Sequence, residues 1–325
     1  MKIALLYEAR PEVHPGGPPD LYLEFERLET VQLTAQALER LGHSVFLIDA
    51  CDHPAVRLGE LRHEIELVFN ISVGFGTRFR ELMPAAICES LNLRYTGSDP
   101  MAHALAANKH AAKLLARELG IDTPRWCFVR DAAGVEQVFS LPSERILIKP
   151  NFEGTSIGIA GPLQLGDRQT VRSAVRRVLD DYRQPVIVEA FIAGYDATVP
   201  ILGNPGEVLA SLRLATGAEV EPDVIFDSRS KEDSELPWTW TREHPPRHGD
   251  RVTSALAKAA LQIHESLGCR DWSRVDFRVD GDGVPYFLEV NATPQLAPHG
   301  GAFEAALHQP FESIVGRLIE VATAR

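Results

Sequence analysis

Residues Arg274 to Asn291 constrain this chain more than any other stretch. Two runs of alternating apolar and polar residues flank Asp280-Gly281-Asp282-Gly283. Successive side chains of a strand point to opposite faces, so the alternation sorts them at once. A two-residue loop with glycine first fits a type II′ turn. That turn predicts pairing of Asp280 with Gly283, Asp276 with Phe287 and Arg274 with Glu289. It places Val275, Phe277, Val279, Val284, Tyr286, Leu288 and Val290 on one face, and Arg274, Asp276, Glu289 and Asn291 on the other. A one-residue slip would mix the faces, so the pattern favours this register. Two carboxylates and an amide oxygen on one rigid face are hard oxygen ligands. They suit Mg²⁺, which takes few protein ligands and completes its octahedron with water and phosphate oxygens. Arg274 beside them suits an anionic intermediate. In isolation the same face reads sooner as a solvated surface with a cross-strand Arg274–Glu289 ion pair. A phosphate cradle elsewhere is what would decide for chemistry.

Lys149-Pro150-Asn151-Phe152-Glu153-Gly154-Thr155-Ser156-Ile157-Gly158 supplies such a cradle. A strand ending in lysine runs into a Gly/Thr/Ser loop, whose backbone N–H groups can surround phosphate oxygens. It is not a P-loop, because no Gly-Lys pair follows. Gly154-Thr155-Ser156-Ile157-Gly158 also spells G-x-S-x-G. A nucleophile elbow needs a strand ending at the serine and a helix starting there. Pro150 and three further residues precede Gly154, and Ile159-Ala160-Gly161-Pro162 cannot open a good helix, so the hydrolase reading is set aside.

With 325 residues, the chain suits two or three packed units of roughly 100–150 residues each. Ile3–Tyr7, Val45–Asp49 and Leu67–Ile71 are short apolar runs, with Leu93–Thr96 a fourth. The helical pattern Glu29–Leu41 lies between the first two. This alternation predicts an α/β start with a parallel sheet, whose ligands sit at the carboxyl ends of the strands. Arg10–Pro19, with four prolines, is a loop at that edge. A single helix is expected from Pro100 to Leu119. Strands follow near Trp126–Arg130, Ile146–Lys149, Val186–Glu189, Thr198–Leu202 and Val208–Leu214, with helices near Gln169–Asp181 and Arg251–Leu267. The net charge of −12 argues against a reader of nucleic-acid backbones, but not against a nucleotide held by local lysines. No apolar run approaches the roughly 20 residues of a membrane span. Four scattered cysteines and an N-terminus that reads as a strand predict a reduced, cytoplasmic setting.

These pieces, in this order, resemble the ATP-grasp superfamily and, more closely, the D-alanine–D-alanine ligases. Phe69-Asn70, Tyr95-Thr96-Gly97-Ser98, Asn108-Lys109, Gly120–Pro124, Lys149-Pro150, Glu153–Ile159, Val188–Asp196, Lys231, Arg274-Val275-Asp276 and Glu289–Pro294 carry the resemblance. It implies an α/β (α+β) ATP-grasp fold, with an N-terminal domain (residues 1–97), a central lid (98–188) and a C-terminal subdomain (189–325). It implies ATP and two Mg²⁺ ions as cofactors, with Mn²⁺ as a substitute. Lys109 and Lys149 would contact ATP phosphates, and Glu153, Gly154, Thr155 and Ser156 would close over them. Glu189, Ala190, Phe191 and Ile192 would meet the adenine, and Asp196 the ribose. Lys231 would reach the γ-phosphate from a mobile loop near Asp227–Glu235. Asp276, Glu289 and Asn291 would hold the metal, and Arg274 would face the oxyanion. The implied reaction joins a small-molecule carboxylate to an amine through an acyl phosphate. Many relatives of this kind are homodimers, so a homodimer is a further expectation.

The departures from the family cluster where amino-acid substrates would lie. The N-terminal Gly-Gly-x-Ser-x-Glu-Arg-Glu-Val-Ser pattern is replaced by Arg10–Arg27, in which Glu24 or Glu26 could take over the glutamate's part. The family's His-Gly segment becomes Ser72-Val73-Gly74 followed by Arg78 and Arg80, and the stretch after Pro294 becomes Gln295 to His299-Gly300. The lid tyrosine after the mobile-loop lysine is Glu232. Gly74, Arg78, Arg80, His299 and Gly300 are therefore the expected substrate determinants, and the expected substrates differ from two D-alanines. Two other readings stay open: a true D-alanine–D-alanine ligase, and an ATP-binding regulatory protein that does not ligate.

Overall fold

The apolar run at the start of the chain becomes the middle of a sheet. In the computed structural model, which describes residues 1–12, 15–74, 78–215, 225, 239–242, 244, 248–296, 298 and 300–325, β1 (Lys2–Tyr7) runs between two parallel neighbours. After β1 come α1 (Leu28–Arg40), β2 (Ser44–Asp49), α2 (Pro54–Leu61), β3 (Leu67–Asn70) and α3 (Met83–Ser90), with sheet order β2-β1-β3. Ile3, Ala4, Leu5 and Leu6 have no exposed surface, as a strand covered on both faces requires. The fourth strand expected at Leu93–Thr96 shrinks to a single bridge between Val68 and Tyr95. Asn92 and Gly97 on either side have positive φ (53° and 97°), which breaks the extended run at both ends.

The helix expected over Pro100–Leu119 is two helices. α4 (Pro100–Ala107) stops at Asn108, whose backbone is extended, and α5 (Lys109–Glu118) starts one residue later. Asn108 Oδ1 accepts the Ala111 N–H at 3.2 Å, a side-chain N-cap that competes with continuing the helix. Lys109 thereby becomes the first residue of a new helix.

A four-stranded antiparallel sheet follows, built from β4 (Trp126–Val129), β5 (Arg145–Pro150) and β6 (Ala160–Gln164). Next come α6 (Arg168–Tyr182) and β7 (Val186–Ala190), giving the order β4-β7-β5-β6. Val171, Val175 and Val178 line one stripe of α6 and close a separate core over this sheet.

The last sheet has the order β11-β10-β8-β12-β13, with β9 beside β8. Its strands are β8 (Gly194–Leu202), β9 (Glu207–Val208), β10 (Leu212–Ala215), β11 (Thr239–Thr241), β12 (Trp272–Asp280) and β13 (Pro285–Asn291). α7 (Gly249–Leu267) lies in sequence between β11 and β12, and α8 (Ala302–Leu307) and α9 (Phe311–Ala324) follow β13. The strand expected over Val208–Leu214 is divided between β9 and β10. One core joins α5 and α7 to β8, β12 and β13. Another packs Trp272 and α9 against β1, β3 and α1, so the first and last sheets share buried surface. No helix among the described residues is long and apolar enough to cross a membrane.

The β12–β13 hairpin corrects the expected turn. Val279 pairs with Pro285, Phe277 with Phe287, Asp276 with Glu289 and Arg274 with Asn291. The loop has three residues, closed by Asp280 N–H donating to Val284 O at 3.1 Å, with Gly283 at φ 78°. Asp280 Oδ1 also accepts the N–H groups of Asp282 and Val284, both at 2.9 Å, which favours this loop over a type II′ turn. A bulge near Phe287 then adds a residue. It turns Phe287 into the core beside Phe277, while Leu288 lines the cleft described next. The expected core positions of Tyr286 and Leu288 are overturned for that reason.

Candidate active site

A cleft of about 690 Å³ lies between the central and last sheets and opens toward the residues after β1. It takes its charged lining from strand ends and helix starts. Lys149 comes from the end of β5, Glu189 from β7, Asp196 from β8, and Arg274, Asp276 and Glu289 from the hairpin. Lys109 joins them only because α5 begins where it does.

On the hairpin, Arg274 grips Asp276 with both Nη2 (2.9 Å) and Nε (3.0 Å). Asn291 Nδ2 donates to Asp276 Oδ2 at 3.1 Å, and the Thr198 hydroxyl donates to Asp276 Oδ1. Glu289 pairs with Lys109 at 3.0 Å. Burial works against ionising Glu289, but Lys109, Lys149 and Arg274 outweigh it and hold the carboxyl down to about 2. Both carboxylates and the Asn291 amide thus share a face, as the alternation predicted, although their partners across the hairpin differ. Among the described residues no three acidic, histidine or cysteine side chains gather by themselves into a metal cage. Two carboxylates and one amide oxygen fit Mg²⁺ only if phosphate and water supply the remaining ligands.

Behind this face lies a buried chain of charges. Lys149 pairs with Glu189, and Lys113 Nζ lies 2.9 Å from the same carboxylate and donates to Thr123 Oγ1 at 2.8 Å. Burial pushes Lys113 down to about 8 despite the opposing Glu189 charge. Glu189 stays below the usual carboxylate range because Lys113 and Lys149 outweigh its burial. Its side chain therefore points along the lysines, and Ala190, Phe191 and Ile192 continue the cleft wall. Asp196 is engaged by Arg278 Nη1 at 2.9 Å, and Arg278 Nε donates to Ile192 O at 3.1 Å.

Glu153, Thr155 and Ser156 line the cleft, while Gly154 packs against Glu24: a Cβ there would stand 2.1 Å from Glu24 Oε1. Gly300 is at the rim. Three expected substrate determinants do not reach the cleft among the described residues. Gly74 packs under the Arg80 backbone, where a Cβ would stand 2.3 Å from Arg80 O. Arg80 is spent on Glu24 and Glu153. Arg78 stacks near Phe79 and Phe152 beside a separate cavity of about 170 Å³. Lys231, Glu232, His299 and the Asp227–Glu235 loop lie outside the described residues.

Sequence alone does not single out Arg278 or Gln295, and it does not decide Glu26 against Glu24. Arg278 shares strand parity with Arg274 and Asp276, which was the available signal. Glu26 lines the cleft, whereas Glu24 does not; burial pushes Glu26 up to about 8, with Arg10 opposing. Gln295 also lines the cleft and donates to Glu24 O at 3.1 Å.

The chain is similar to known proteins over most of its length. The family model described as "D-ala D-ala ligase C-terminus" matches residues 115–320. A D-alanine–D-alanine ligase of Actinobacillus pleuropneumoniae serotype 5b is 30% identical over 290 residues, covering 88% of this chain and 89% of that protein. A Sinorhizobium fredii protein, y4sG, is 28% identical over 301 residues, covering 89% of this chain and 86% of its own. The crystal structure of D-alanine–D-alanine ligase from Bacillus anthracis complexed with ATP superposes with a TM-score of 0.71 at 19% identity. That match covers 100% of this chain and 97% of the other.

Proposed function

The chain belongs to the D-alanine–D-alanine ligase family and is an ATP-grasp ligase, and from that premise we propose that it joins a carboxylate to an amine, at least one of them different from D-alanine. The observation that carries the reading is an asymmetry within one cleft. On the nucleotide and metal side each carboxylate has a cationic partner, with Lys109 on Glu289, Arg274 on Asp276, and both Lys113 and Lys149 on Glu189. The positions flanking it depart from the family pattern, with Gln295 tied to Glu24 and Arg80 buried in ion pairs.

In this reading Lys109 and Lys149 hold ATP phosphates, and the Glu153–Ser156 loop lies over them. Ala190 to Ile192 border the adenine, and Asp196, already held by Arg278, faces the ribose. Asp276, Glu289 and Asn291 would hold Mg²⁺, or Mn²⁺ as a substitute, and a bound ion would supply charge neutralisation for phosphoryl transfer. The carboxylate substrate attacks the γ-phosphorus, giving an acyl phosphate, and ADP is the leaving group. Attack by the amine places negative charge on the acyl oxygen, which Arg274 would face; the adduct then breaks its C–O bond to expel inorganic phosphate, and the nitrogen loses a proton, leaving the amide. Glu26 suits an ammonium group on the first substrate. Burial keeps its carboxyl near 8 in the free protein, and an adjacent cation would favour its ionised form. Lys231, by the family resemblance, would serve the γ-phosphate. We place the enzyme in the cytoplasm, with domain borders near residues 97 and 188.

A true D-alanine–D-alanine ligase is the second reading, favoured by Glu26 standing in the cleft where an amino acid's ammonium needs a carboxylate. An ADP-release screen across paired amino acids, peptides and amines, with products identified by mass spectrometry, separates the two. Turnover of D-alanine alone that matches the best other pair would make the second reading correct. Tight ATP binding with no ADP release from any pair would favour a non-ligating ATP-binding protein.

A further inference from the structure

The Glu153–Gly158 loop has a backbone hydrogen bond of its own, from Ile157 N–H to Gly154 O at 2.9 Å, and is otherwise held from outside. Thr155 and Ser156 are consecutive non-glycine residues at positive φ (49° and 63°), a conformation that persists only where surrounding contacts impose it. Contacts from the proline-rich strap after β1 and from the segment after β3 reach the loop at both ends, while Lys109 and Gln184 also hold Glu153.

At the first end stands Arg80. Its guanidinium is buried, donates to Val73 O at 3.2 Å, and bridges the carboxylates of Glu24 and Glu153, the latter at 3.0 Å. Glu81 adds a third carboxylate to the surroundings of that one cation. Without Arg80, Glu24 and Glu153 would lose the cation that both carboxylates share, leaving Lys109 as the nearby positive charge. At the far end stands Asp20. Its Oδ2 accepts the Gly158 N–H at 2.8 Å, and its Oδ1 accepts the Tyr182 hydroxyl at 2.6 Å. Gly154 sits between the two anchors with no room for a side chain beside Glu24. The strap then continues to Glu26, which lines the cleft, while Gln295 ties the Glu24 backbone to the segment after β13.

We propose that Arg80 and Asp20 are positioning residues that fasten the Glu153–Gly158 loop shut, making loop closure and the seating of the substrate strap one event. The inference rests on the reading that this loop covers the ATP phosphates. Its use follows from the chemistry: an acyl phosphate must be kept from water, and a cover pinned at two points does so. Neither residue touches a reacting atom. Each acts through the loop, and the strap carries the state of the Glu26 pocket to it.

The test uses the full chain and reads amide hydrogen exchange at residues 154–158, with and without Mg²⁺ and a non-hydrolysable ATP analogue, together with the analogue's Kd. Arg80→Met should speed exchange at these amides about tenfold and weaken the analogue several-fold, while amides of β1 and β3 keep their protection. Arg80→Lys should recover part of both effects, because it restores the charge without the two-sided reach. Tyr182→Phe and Asp20→Ala should speed exchange at Gly158 first. They also keep the proposal testable if Arg80→Met does not fold. Wild-type exchange rates at 154–158 in both Asp20→Ala and a folded Arg80 variant would overturn it. If the wild type fails to bind the analogue, the nucleotide reading fails instead, and exchange in the free protein still judges the fastening.

Discussion

Glu8 directly follows β1 with no exposed surface, and its Oε1 accepts the Val73 N–H at 2.7 Å. Burial pushes this carboxyl up to about 8, further than the hydrogen bonds from Ser72 and Val73 can pull it down. The folded protein therefore binds a proton that the unfolded chain has released between pH ~4.5 and ~8. Stability from this group is fully present below the unfolded value and is lost as pH rises through the folded one. Glu8→Gln keeps the size and removes the titration. It should raise stability by on the order of 2 kcal/mol at pH 9 and by little at pH 5, read from denaturant midpoints at the two pH values. An equal shift at both would show that Glu8 is ionised throughout. Glu289 is the opposite case, a half-buried carboxylate that its neighbours keep charged. Glu289→Gln should cut Mg²⁺-dependent ADP release at least ~100-fold while the fold survives, since it removes one of two anionic metal ligands. Near-normal turnover would refute the metal assignment. At this scale the sequence was informative wherever side chains share strand parity. Arg274, Asp276, Glu289 and Asn291 could be grouped without a structure. Glu26 could not be chosen over Glu24, because the strap that carries both has no period.

Among the elements, the β12–β13 hairpin shows which features of a strand pair survive a wrong turn. The three-residue loop and the bulge at Phe287 each shift the pairing by one, and together they restore the parity that puts the ligands on one face. The turn type itself was hidden because Gly281 and Gly283 both fit a hairpin loop, and the choice falls to the Asp280 side chain binding two following N–H groups. Substitution separates the two loops. Gly283 has φ 78°, and a Cβ there would meet His248 Cδ2 at 3.0 Å, whereas Gly281 has open space. Gly283→Ala should cost ~1–2 kcal/mol and Gly281→Ala should be nearly neutral in thermal unfolding. A type II′ turn would reverse that order. The break between α4 and α5 was equally concealed, since Asn108 is tolerable inside a helix by pattern alone. Its competing partners, Ala111 N–H and Asn151 Nδ2, become visible only when the Lys149–Glu153 segment is brought alongside. That break sets Lys109 against Glu289.

For the molecule as a whole, the arrangement of buried cores decides what can move. The central sheet and α6 pack around Val129, Ile146, Val175 and their neighbours, a cluster drawn entirely from residues 127–188. Trp272 instead packs with Phe69, at a ring separation of 6.0 Å, and shares a core with β1, α1 and α9. The first and last sheets are thus bound by apolar contact. The clasp just described holds the central sheet to the strap largely through ion pairs and hydrogen bonds, which open at lower cost. Sequence periodicity exposed each sheet but not this sharing, because no pattern within β12 announces that Trp272 will face a strand some two hundred residues earlier. Trp272→Ala should remove ~3–5 kcal/mol from the body formed by the first and last sheets. Exchange-protected amides of β5, β7 and α6 should keep their protection until higher denaturant, giving two resolved transitions. A single transition that carries the central amides down with Trp272 would mean that the clasp is stronger than its polar contacts suggest, and that the central sheet opens only by unfolding. Two transitions that merge when Mg²⁺ and the ATP analogue are added would mean that the nucleotide bridges β7 to the hairpin and makes one cooperative unit out of two.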